Sequence, residues 1–353
     1  MSRRLTSLLL LAAFGSAAAA RPPVPVQQRF GDWTVACDNV RACSAQGYRV
    51  VGDEGVQAGL WLSRDAGPQG AVHVALYLSD REGKELPDNS RVHARVDGRD
   101  LKPLPPDGNL PPGAVRAFVG ALIEGEALEL SGPDGEASVS LQGLKAALLK
   151  MDDVQGRVGT VTAWVARGKL AASQVPPAAP VPMLEPATPP KPMDADAMRP
   201  LVRQLIGHPA VIQDCYLLQA DSGYAHEVPN TSLYQVRPQE YLVMMECERA
   251  PYQTGYRLWR MKQRQGTLEI APEVLPDIGG QALDLMNADL QAGELSTWFK
   301  GRGQGDCGGG RRWVWTATGF ALRLAHEAPD CNGIFGGGPG LVLWQAEVKP
   351  ARP

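Results

Sequence analysis

Apolar and polar residues alternate along several short stretches in the first half of the chain. The alternation runs through Phe30–Cys37 and again through Val72–Leu78. Two shorter stretches, 128–130 and 139–141, flank the turn residues 132–135. A period of two places successive side chains on opposite faces, so each stretch is predicted to be a strand.

One stretch of this half follows a different period. Apolar residues recur at helical spacing from Leu144 to Met151, and Gly156 follows as a helix stop. The period of two returns at Gly159–Val165, which predicts a further strand. Many short strands with one helix are typical of a β-sandwich, and this fold is predicted for residues 21–172.

Residues 194–353 are predicted to form an α+β domain that is rich in strands. Asp194 or Asp196 caps an opening helix that ends at Gly207, and a second short helix is predicted near 281–290.

Strands are predicted in this half at Cys215–Leu218 and Tyr241–Cys247. The clearest element is a hairpin, in which Trp313–Thr316 and Phe320–Leu324 flank a turn at 317–319.

Residues 173–193 are rich in proline and nearly free of charge. Such a tract lacks both an apolar face and the backbone N–H donors that a β-sheet requires, so it is predicted to be an extended, unpacked linker. The chain is therefore predicted to be mainly β, with two β-rich domains joined by this linker.

The first 20 residues have the order of a secretory signal peptide. Arg3 and Arg4 precede an apolar stretch from Leu8 to Phe14, and small residues lead to Ala20. Cleavage after Ala20 would deliver the chain to the periplasm. No later stretch approaches the roughly 18 apolar residues of a membrane span, so a soluble periplasmic protein is expected.

Charge narrows the choice of partners. The whole chain has a net charge of −3, and removal of the leader takes away Arg3 and Arg4 and no acid, which leaves −5. A mildly acidic protein lacks the broad basic face that nucleic acid requires.

Six cysteines lie in three near-neighbour pairs, and thiols pair in the oxidising compartments that exported proteins reach. Six cysteines allow fifteen pairings. Pairs that close short loops and do not cross the linker are predicted: Cys37–Cys43, Cys215–Cys247 and Cys307–Cys331. With no thiol left free, a cysteine nucleophile partnered by a histidine is disfavoured.

Three stretches resemble a known family. Phe30–Asn39, with Cys43 close behind, resembles the opening of exported bacterial proteins grouped as domain of unknown function 1176, and is also similar to invasion-associated locus B type proteins. Met151–Thr160 is similar to the signature that ends that family's first domain. Gly301–Gly308 is similar to its counterpart in the second, together with Trp313, Trp315, Phe320 and Cys331.

The resemblance implies an exported envelope protein without an established activity. It supplies no catalytic residue, and a shared fold would not transfer a function.

Other motifs are better explained as structure. Gly303–Gly308 fits G-x-G-x-x-G, but a strand is predicted after it where a dinucleotide site needs a helix. Asp221, Ser222 and His226 are too close in sequence for a hydrolase triad and favour a polar loop. Asp152-Asp153 is interpreted as a solvated helix end rather than half a calcium loop. No metal site and no cofactor are predicted.

Tryptophans and arginines cluster in the second half. Trp298, Trp313, Trp315 and Trp344 accompany three arginines. Alternation favours Trp313 and Trp315 as core residues. Guanidinium groups bind anions through paired hydrogen bonds, so a ligand-binding loop is predicted to use Arg302, Arg311 and Arg312.

Two functions remain open. The first is a non-enzymatic binding module for an envelope polymer or protein. The alternative is a cell-wall glycan or peptide hydrolase, or a hydrolase inhibitor, with its site in the second domain. No assembled catalytic group is visible, which favours the binding module, although catalytic sites often assemble from residues far apart in sequence.

Overall fold

The computed structural model describes residues 24–48, 56–80, 84–86, 88–278, 280–281, 285–334, 338 and 340–350. The predicted signal peptide, residues 1–20, lies outside this part of the chain. The fold is mainly β with few helices, as predicted.

The first half contains two antiparallel sheets. Five strands form a sheet in sequence order: β1 (Val26–Phe30), β2 (Trp33–Cys37), β3 (Cys43–Tyr48), β4 (Gln57–Arg64) and β5 (Val72–Ser79). Four strands form the second sheet in the order β7-β6-β8-β9: β6 (His93–Val96), β7 (Arg99–Asp100), β8 (Ala127–Gly132) and β9 (Gly135–Ser140).

Two helices complete this half, α1 (Pro112–Leu122) and α2 (Leu144–Val154). The buried residues of both sheets and both helices pack into one core. Trp33 is fully buried there, and its indole Nε1 donates a hydrogen bond to Ser140 O at 2.9 Å, which links the two sheets. The core thus lies between two sheets, as the sandwich prediction requires.

The prediction of a single helix in this half is wrong because it missed α1. The signal was present, since Val115, Phe118, Val119 and Leu122 are buried at helical spacing. The sequence Pro111-Pro112-Gly113 is typical of a loop, but proline is tolerated in the first turn of a helix.

The strand predicted at Gly159–Val165 is also wrong, since turns occupy this stretch. Its backbone donors are engaged elsewhere. The Asp152 carboxylate accepts the N–H groups of Trp164 at 2.7 Å and Val165 at 3.1 Å. Such side-chain acceptors compete with ladder partners and hold the chain in a loop.

Residues 173–193 pack onto the second half instead of remaining free. Their short strands are β10 (Met183–Leu184) and β11 (Lys191–Pro192). Between these strands, the Ala187 N–H donates to Trp315 O at 3.0 Å. The expectation of an unpacked spacer is therefore wrong, while the domain boundaries at 172 and 194 stay a prediction.

The second half opens with α3 (Ala195–Ile206) and α4 (Pro209–Asp214), and α3 begins after Asp194 and ends before Gly207 as predicted. One sheet has the order β11-β12-β13-β14-β15. Its further strands are β12 (Thr231–Arg237), β13 (Glu240–Ala250), β14 (Gln253–Arg264) and β15 (Thr267–Pro272).

Short strands follow, and β18 pairs with β14. They are β16 (Pro276–Asp277), β17 (Gly280–Gln281) and β18 (Leu285–Met286). A last antiparallel sheet runs in sequence order through β19 (Asp289–Gln291), β20 (Glu294–Lys300), β21 (Gly308–Thr316), β22 (Gly319–Ala328) and β23 (Leu341–Gln345). The final strand β24 (Glu347–Val348) pairs with β10.

Two more elements differ from expectation. The residues described between 281 and 290 form strands instead of a helix. Residues 216–218 form a 3-10 turn instead of a strand, because the Leu218 N–H bonds Cys215 O within the segment. The predicted hairpin is confirmed, with Trp313 opposite Leu322 and Trp315 opposite Phe320.

The two halves touch along β2 and β23. Asn39 exchanges two hydrogen bonds with the backbone of Gln345, at 3.0 and 2.9 Å. Leu341 and Leu343 bury apolar surface against Ala36. The halves therefore form a packed contact with a polar border.

Candidate functional site

A groove of about 470 Å³ lies beside the Cys307–Cys331 disulfide. Strands β20, β21 and β22 position its side chains. The lining includes the backbone of five glycines together with Trp298, Phe299, Lys300, Gln304 and His326. This groove is the strongest candidate site in the second half because aromatic rings, polar groups and bare backbone meet there.

A run of glycines lets the rings approach the strand. In the ladder Phe299 lies opposite Gly309, and Trp298 lies opposite Gly310. A Cβ atom on Gly309 would lie 3.0 Å from a ring carbon of Phe299, and one on Gly310 would lie 2.6 Å from Cε1 of His326. Only glycine leaves room for both rings at these positions.

Two large aromatic side chains of the groove face solvent. Trp298 is 46 % exposed and Phe299 is 44 % exposed. The ammonium of Lys300 lies 5.4 Å from the Trp298 ring centroid, within cation–π range. Large exposed aromatic side chains are costly to leave in water and are typical of binding surfaces.

The other tryptophans of the predicted cluster have structural roles. Trp313 and Trp315 are buried in the core of the second half, as alternation predicted. The half-buried Trp344 donates from Nε1 to Leu322 O at 3.0 Å. Of these four tryptophans, Trp298 is the one that is exposed in the groove.

The structure contains the three predicted disulfides, and none of the six cysteines is free. Cys307 precedes β21 and Cys331 follows β22, so this bridge ties the base of the hairpin. A carboxylate oxygen of Asp306 lies within 4.8 Å of both sulfur atoms, but disulfide sulfurs are not thiolates, so the three residues are not a metal-ligand set.

Asp306 organises the loop before β21. Its fully buried carboxylate accepts one hydrogen bond from Nε of Arg302 at 2.7 Å and another from the backbone N–H of Gly333 at 2.7 Å. Burial opposes ionisation, but these hydrogen bonds outweigh it and hold the pKa of Asp306 below its usual value. The loop is thus fixed by a charged pair and by the disulfide.

The three predicted ligand arginines each contact a carboxylate. Arg302 binds Asp306. Arg312 lies 3.8 Å from Glu294. Arg311 binds Asp277 and Glu327, both at 2.8 Å. Because adjacent strand residues point to opposite faces, Arg311 and Arg312 do not form one cluster. Arg311 belongs to β21 and is largely buried, so the expectation of an exposed loop arginine is wrong for this residue.

His326 contributes a neutral ring to the groove. Burial, followed by the charges of Arg311 and Arg312, lowers the pKa of His326 below its ordinary value. At neutral pH the ring is uncharged, so one ring nitrogen can donate a hydrogen bond and the other can accept one.

Ser222 has a local structural role. Its hydroxyl donates to Leu217 O at 3.2 Å and accepts the N–H of Tyr224 at 3.0 Å. These bonds form a turn, as the loop interpretation predicted. The G-x-G-x-x-G motif at 303–308 leads into strand β21.

Comparison with known proteins places the chain in a family. A family model described as "Protein of unknown function (DUF1176)" matches residues 27–347. The chain belongs to the DUF1176 family.

The match covers both halves of this DUF1176 protein, including the groove. "Uncharacterized protein YpfG" of Escherichia coli (strain K12) is 31 % identical over 339 residues, which cover 91 % of this chain and 93 % of the relative. No solved structure matches the chain.

Two features bear on the location of this DUF1176 chain. Three disulfides are typical of a protein outside the cytoplasm. Within the described residues, no helix has the length and apolar character needed to cross a membrane.

Proposed function

We propose that this protein is a non-enzymatic binding module of the periplasm, delivered by a cleavable signal peptide, and that the groove recognises an envelope glycan. Exposed Trp298, which lies across the glycine run of β21 from His326, is the observation that carries the proposal.

The chemistry of the groove suits a sugar chain. Aromatic faces stack on the C–H faces of pyranose rings, which buries apolar surface without requiring a charge. Lys300, Gln304 and neutral His326 supply hydrogen-bonding groups around the rings. The disulfide and the Arg302–Asp306 pair hold the adjoining loop in place, so binding orders few additional groups.

Trp298→Ala tests this function directly. Sedimentation of the protein with purified peptidoglycan, and with envelope polysaccharide, measures the bound fraction. We expect the substitution to weaken binding at least tenfold, a loss of about 1.4 kcal/mol. The matched control is Tyr216→Ala, since Tyr216 is equally exposed at 46 % and does not line the groove. Equal binding by the two variants would overturn the proposal.

A hydrolase inhibitor is the second candidate. Its support is the loop 301–307, which presents the partly exposed side chain of Arg302 and is clamped by a disulfide. An inhibitor would slow a cell-wall hydrolase at stoichiometric concentration, and Arg302→Ala would relieve the inhibition. A hydrolase has less support, since the described lining of the groove includes no carboxylate.

The predicted roles of Arg302, Arg311 and Arg312 as anion ligands stay a prediction, as does the similarity of the first half to invasion-associated locus B type proteins. Arg312→Ala is the clean test of the arginines, because Arg312 is the most exposed of the three.

A further inference from the structure

A second cavity lies in the first half, far from the groove in sequence. It has a volume of about 250 Å³ and lies between the loop after β4, the start of α1 and the loop after α2. Its lining includes Arg64, Arg116, Arg157, Thr162 and Trp164, and these five residues are called the arginine pocket. The family-like stretch Met151–Thr160 contributes Arg157 to its lining.

The pocket contains more buried positive charge than negative charge. Arg64 and Arg157 are each 2 % exposed, and Asp152 is the buried carboxylate beside them. Asp152 Oδ1 lies 2.6 Å from Arg64 Nη2. Its other oxygen accepts two backbone N–H groups, those of Trp164 and Val165. The carboxylate is therefore fully engaged by groups other than Arg157.

Arg157 is held by neutral acceptors. Its Nε donates to Gln155 Oε1 at 3.0 Å, its Nη1 donates to Thr162 Oγ1 at 3.1 Å, and its Nη2 donates to Gly67 O. Within the described part of the chain it forms no ion pair with a carboxylate. Burial lowers the pKa of Arg157, and burial lowers that of Arg64 to about 10 although Asp152 opposes the shift. Both shifts reflect charge that the fold has not neutralised.

A third guanidinium lies at the edge of the pocket. Arg116, in the second turn of α1, lies 5.6 Å from the Trp164 ring centroid, and Arg64 lies 5.3 Å from the same ring. Arg116 forms no ion pair with any described carboxylate. Burial and the neighbouring charge of Arg167 lower its pKa.

One further donor at the pocket lacks an acceptor, and a helix begins beside it. Trp164 is 9 % exposed, and its buried Nε1 has no hydrogen-bond partner among the described residues. Helix α1 begins at the pocket with Pro112, has no side-chain cap and has no acid in its first turn. The N-terminus of a helix attracts negative charge.

We propose that the arginine pocket binds a phosphate group, either as a free ion or as the monoester of a small envelope molecule. A tetrahedral oxyanion would neutralise the surplus charge, and guanidinium forks match its oxygen atoms. The volume exceeds the roughly 30 Å³ share of one water molecule and leaves room for a substituent on the phosphate. This inference does not depend on the proposed function of the groove.

Isothermal titration of the full mature chain with inorganic phosphate tests the proposal. Saturable binding is expected for the native protein, and Arg116→Gln is expected to weaken it at least tenfold. The melting temperature without phosphate should stay the same, because the side chain of Arg116 faces solvent. The matched control is Arg203→Gln, an exposed arginine on α3, which should bind as the native protein does.

A second readout reports from inside the pocket. In ¹⁵N-labelled protein, the indole N–H resonance of Trp164, assigned by its loss in Trp164→Phe, should shift on addition of phosphate. Absence of saturable binding, or equal binding by Arg116→Gln and Arg203→Gln, would overturn the proposal. A shift confined to other indole resonances would do the same.

Two further titrations identify the source of the phosphate. Glycerol 3-phosphate represents a soluble monoester, and vesicles containing phosphatidic acid represent a lipid headgroup. Binding of either that requires Arg116 supports the proposal and names its source. The opposite result would be vesicle binding that is unchanged in Arg116→Gln and is lost in 0.5 M salt. That result would indicate general electrostatic attraction to the vesicle surface and would contradict a specific pocket.

Discussion

Each half of the molecule has a fully buried carboxylate that binds an arginine, and the two centres differ in charge balance. Asp152 binds Arg64 and Asp306 binds Arg302, and each carboxylate also accepts backbone N–H groups. In the second half one arginine, itself 44 % exposed, balances one carboxylate. In the first half Asp152 pairs with Arg64, and the equally buried Arg157 beside them bonds neutral acceptors.

The difference separates a structural pair from a binding pocket. A balanced pair that reaches solvent fixes a loop and leaves no charge to satisfy. A buried centre with surplus charge is costly unless an external ion completes it. We therefore propose that the second half binds a glycan through its aromatic groove. The first half binds a phosphate group through the positive charge of the arginine pocket.

The largest expected effect is that of Asp152→Asn. It removes the buried carboxylate beside Arg64 and Arg157, and breaking a buried pair costs about 3–5 kcal/mol of unfolding free energy. Asp306→Asn should cost less, about 1–3 kcal/mol, because Arg302 can turn toward water. Urea unfolding measures both values. A larger loss for Asp306→Asn would show that the two centres are ranked wrongly.

The second centre has covalent support that the first lacks, since Cys307 directly follows Asp306. Replacing Cys307 and Cys331 with serine should cost about 3 kcal/mol, because the bridge closes a loop of 24 residues. The bridge Cys37–Cys43 spans six residues and should contribute about 2 kcal/mol. Paired chemical unfolding of the two double variants measures the difference. Equal losses would argue against a chain-entropy origin.

A smaller loss is expected at Gly310, which lies directly behind the groove residue His326. Gly310→Ala places a methyl group 2.6 Å from the His326 ring, and overpacking of this kind costs about 1–3 kcal/mol. Glycan binding should fall with it as the ring moves. Gly120→Ala on α1 is the control, since its added methyl group meets no atom within 4 Å. It should lower neither the free energy of unfolding nor glycan binding. Unchanged glycan binding by Gly310→Ala would remove His326 from the site.

The smallest effect concerns pH. The pKa of His326 is lowered in the folded protein by burial and by Arg311 and Arg312. Protonation therefore favours the unfolded chain, so the contribution of His326 is present above the unfolded value of 6.5 and is lost as pH falls through the folded value. His326→Gln should lose less stability than the native protein between pH 7 and pH 5. Identical pH profiles would contradict the shift.

The sequence predicted local elements well where one pattern decided them. The hairpin of β21 and β22, helices α2 and α3, and the pairing of the cysteines all follow from short-range spacing. Helix α1 was missed because its proline-rich start outweighed an apolar spacing that was visible. The strand expected at 159–165 failed because the carboxylate of Asp152 engages its backbone donors.

The binding sites were harder to predict because tertiary contacts create them. Asp152 was interpreted as a solvated helix end, whereas it is fully buried and only its neighbour Asp153 faces solvent. The arginine pocket joins residues from β4, α1 and the loop after α2, and no spacing rule connects them. Trp298 was a sequence candidate, but Phe299 was not, and the glycine run at 308–310 was the available signal for it.

One calorimetric comparison tests the contrast between the two centres most directly. Inorganic phosphate is titrated into the native protein, Arg116→Gln and Arg302→Gln under identical conditions. We expect saturable binding that Arg116→Gln weakens at least tenfold and Arg302→Gln leaves unchanged, because the buried arginine that bonds neutral acceptors, Arg157, lies in the arginine pocket of the first half, whereas Arg302 is paired with Asp306. Loss of binding in Arg302→Gln with retention in Arg116→Gln would contradict it.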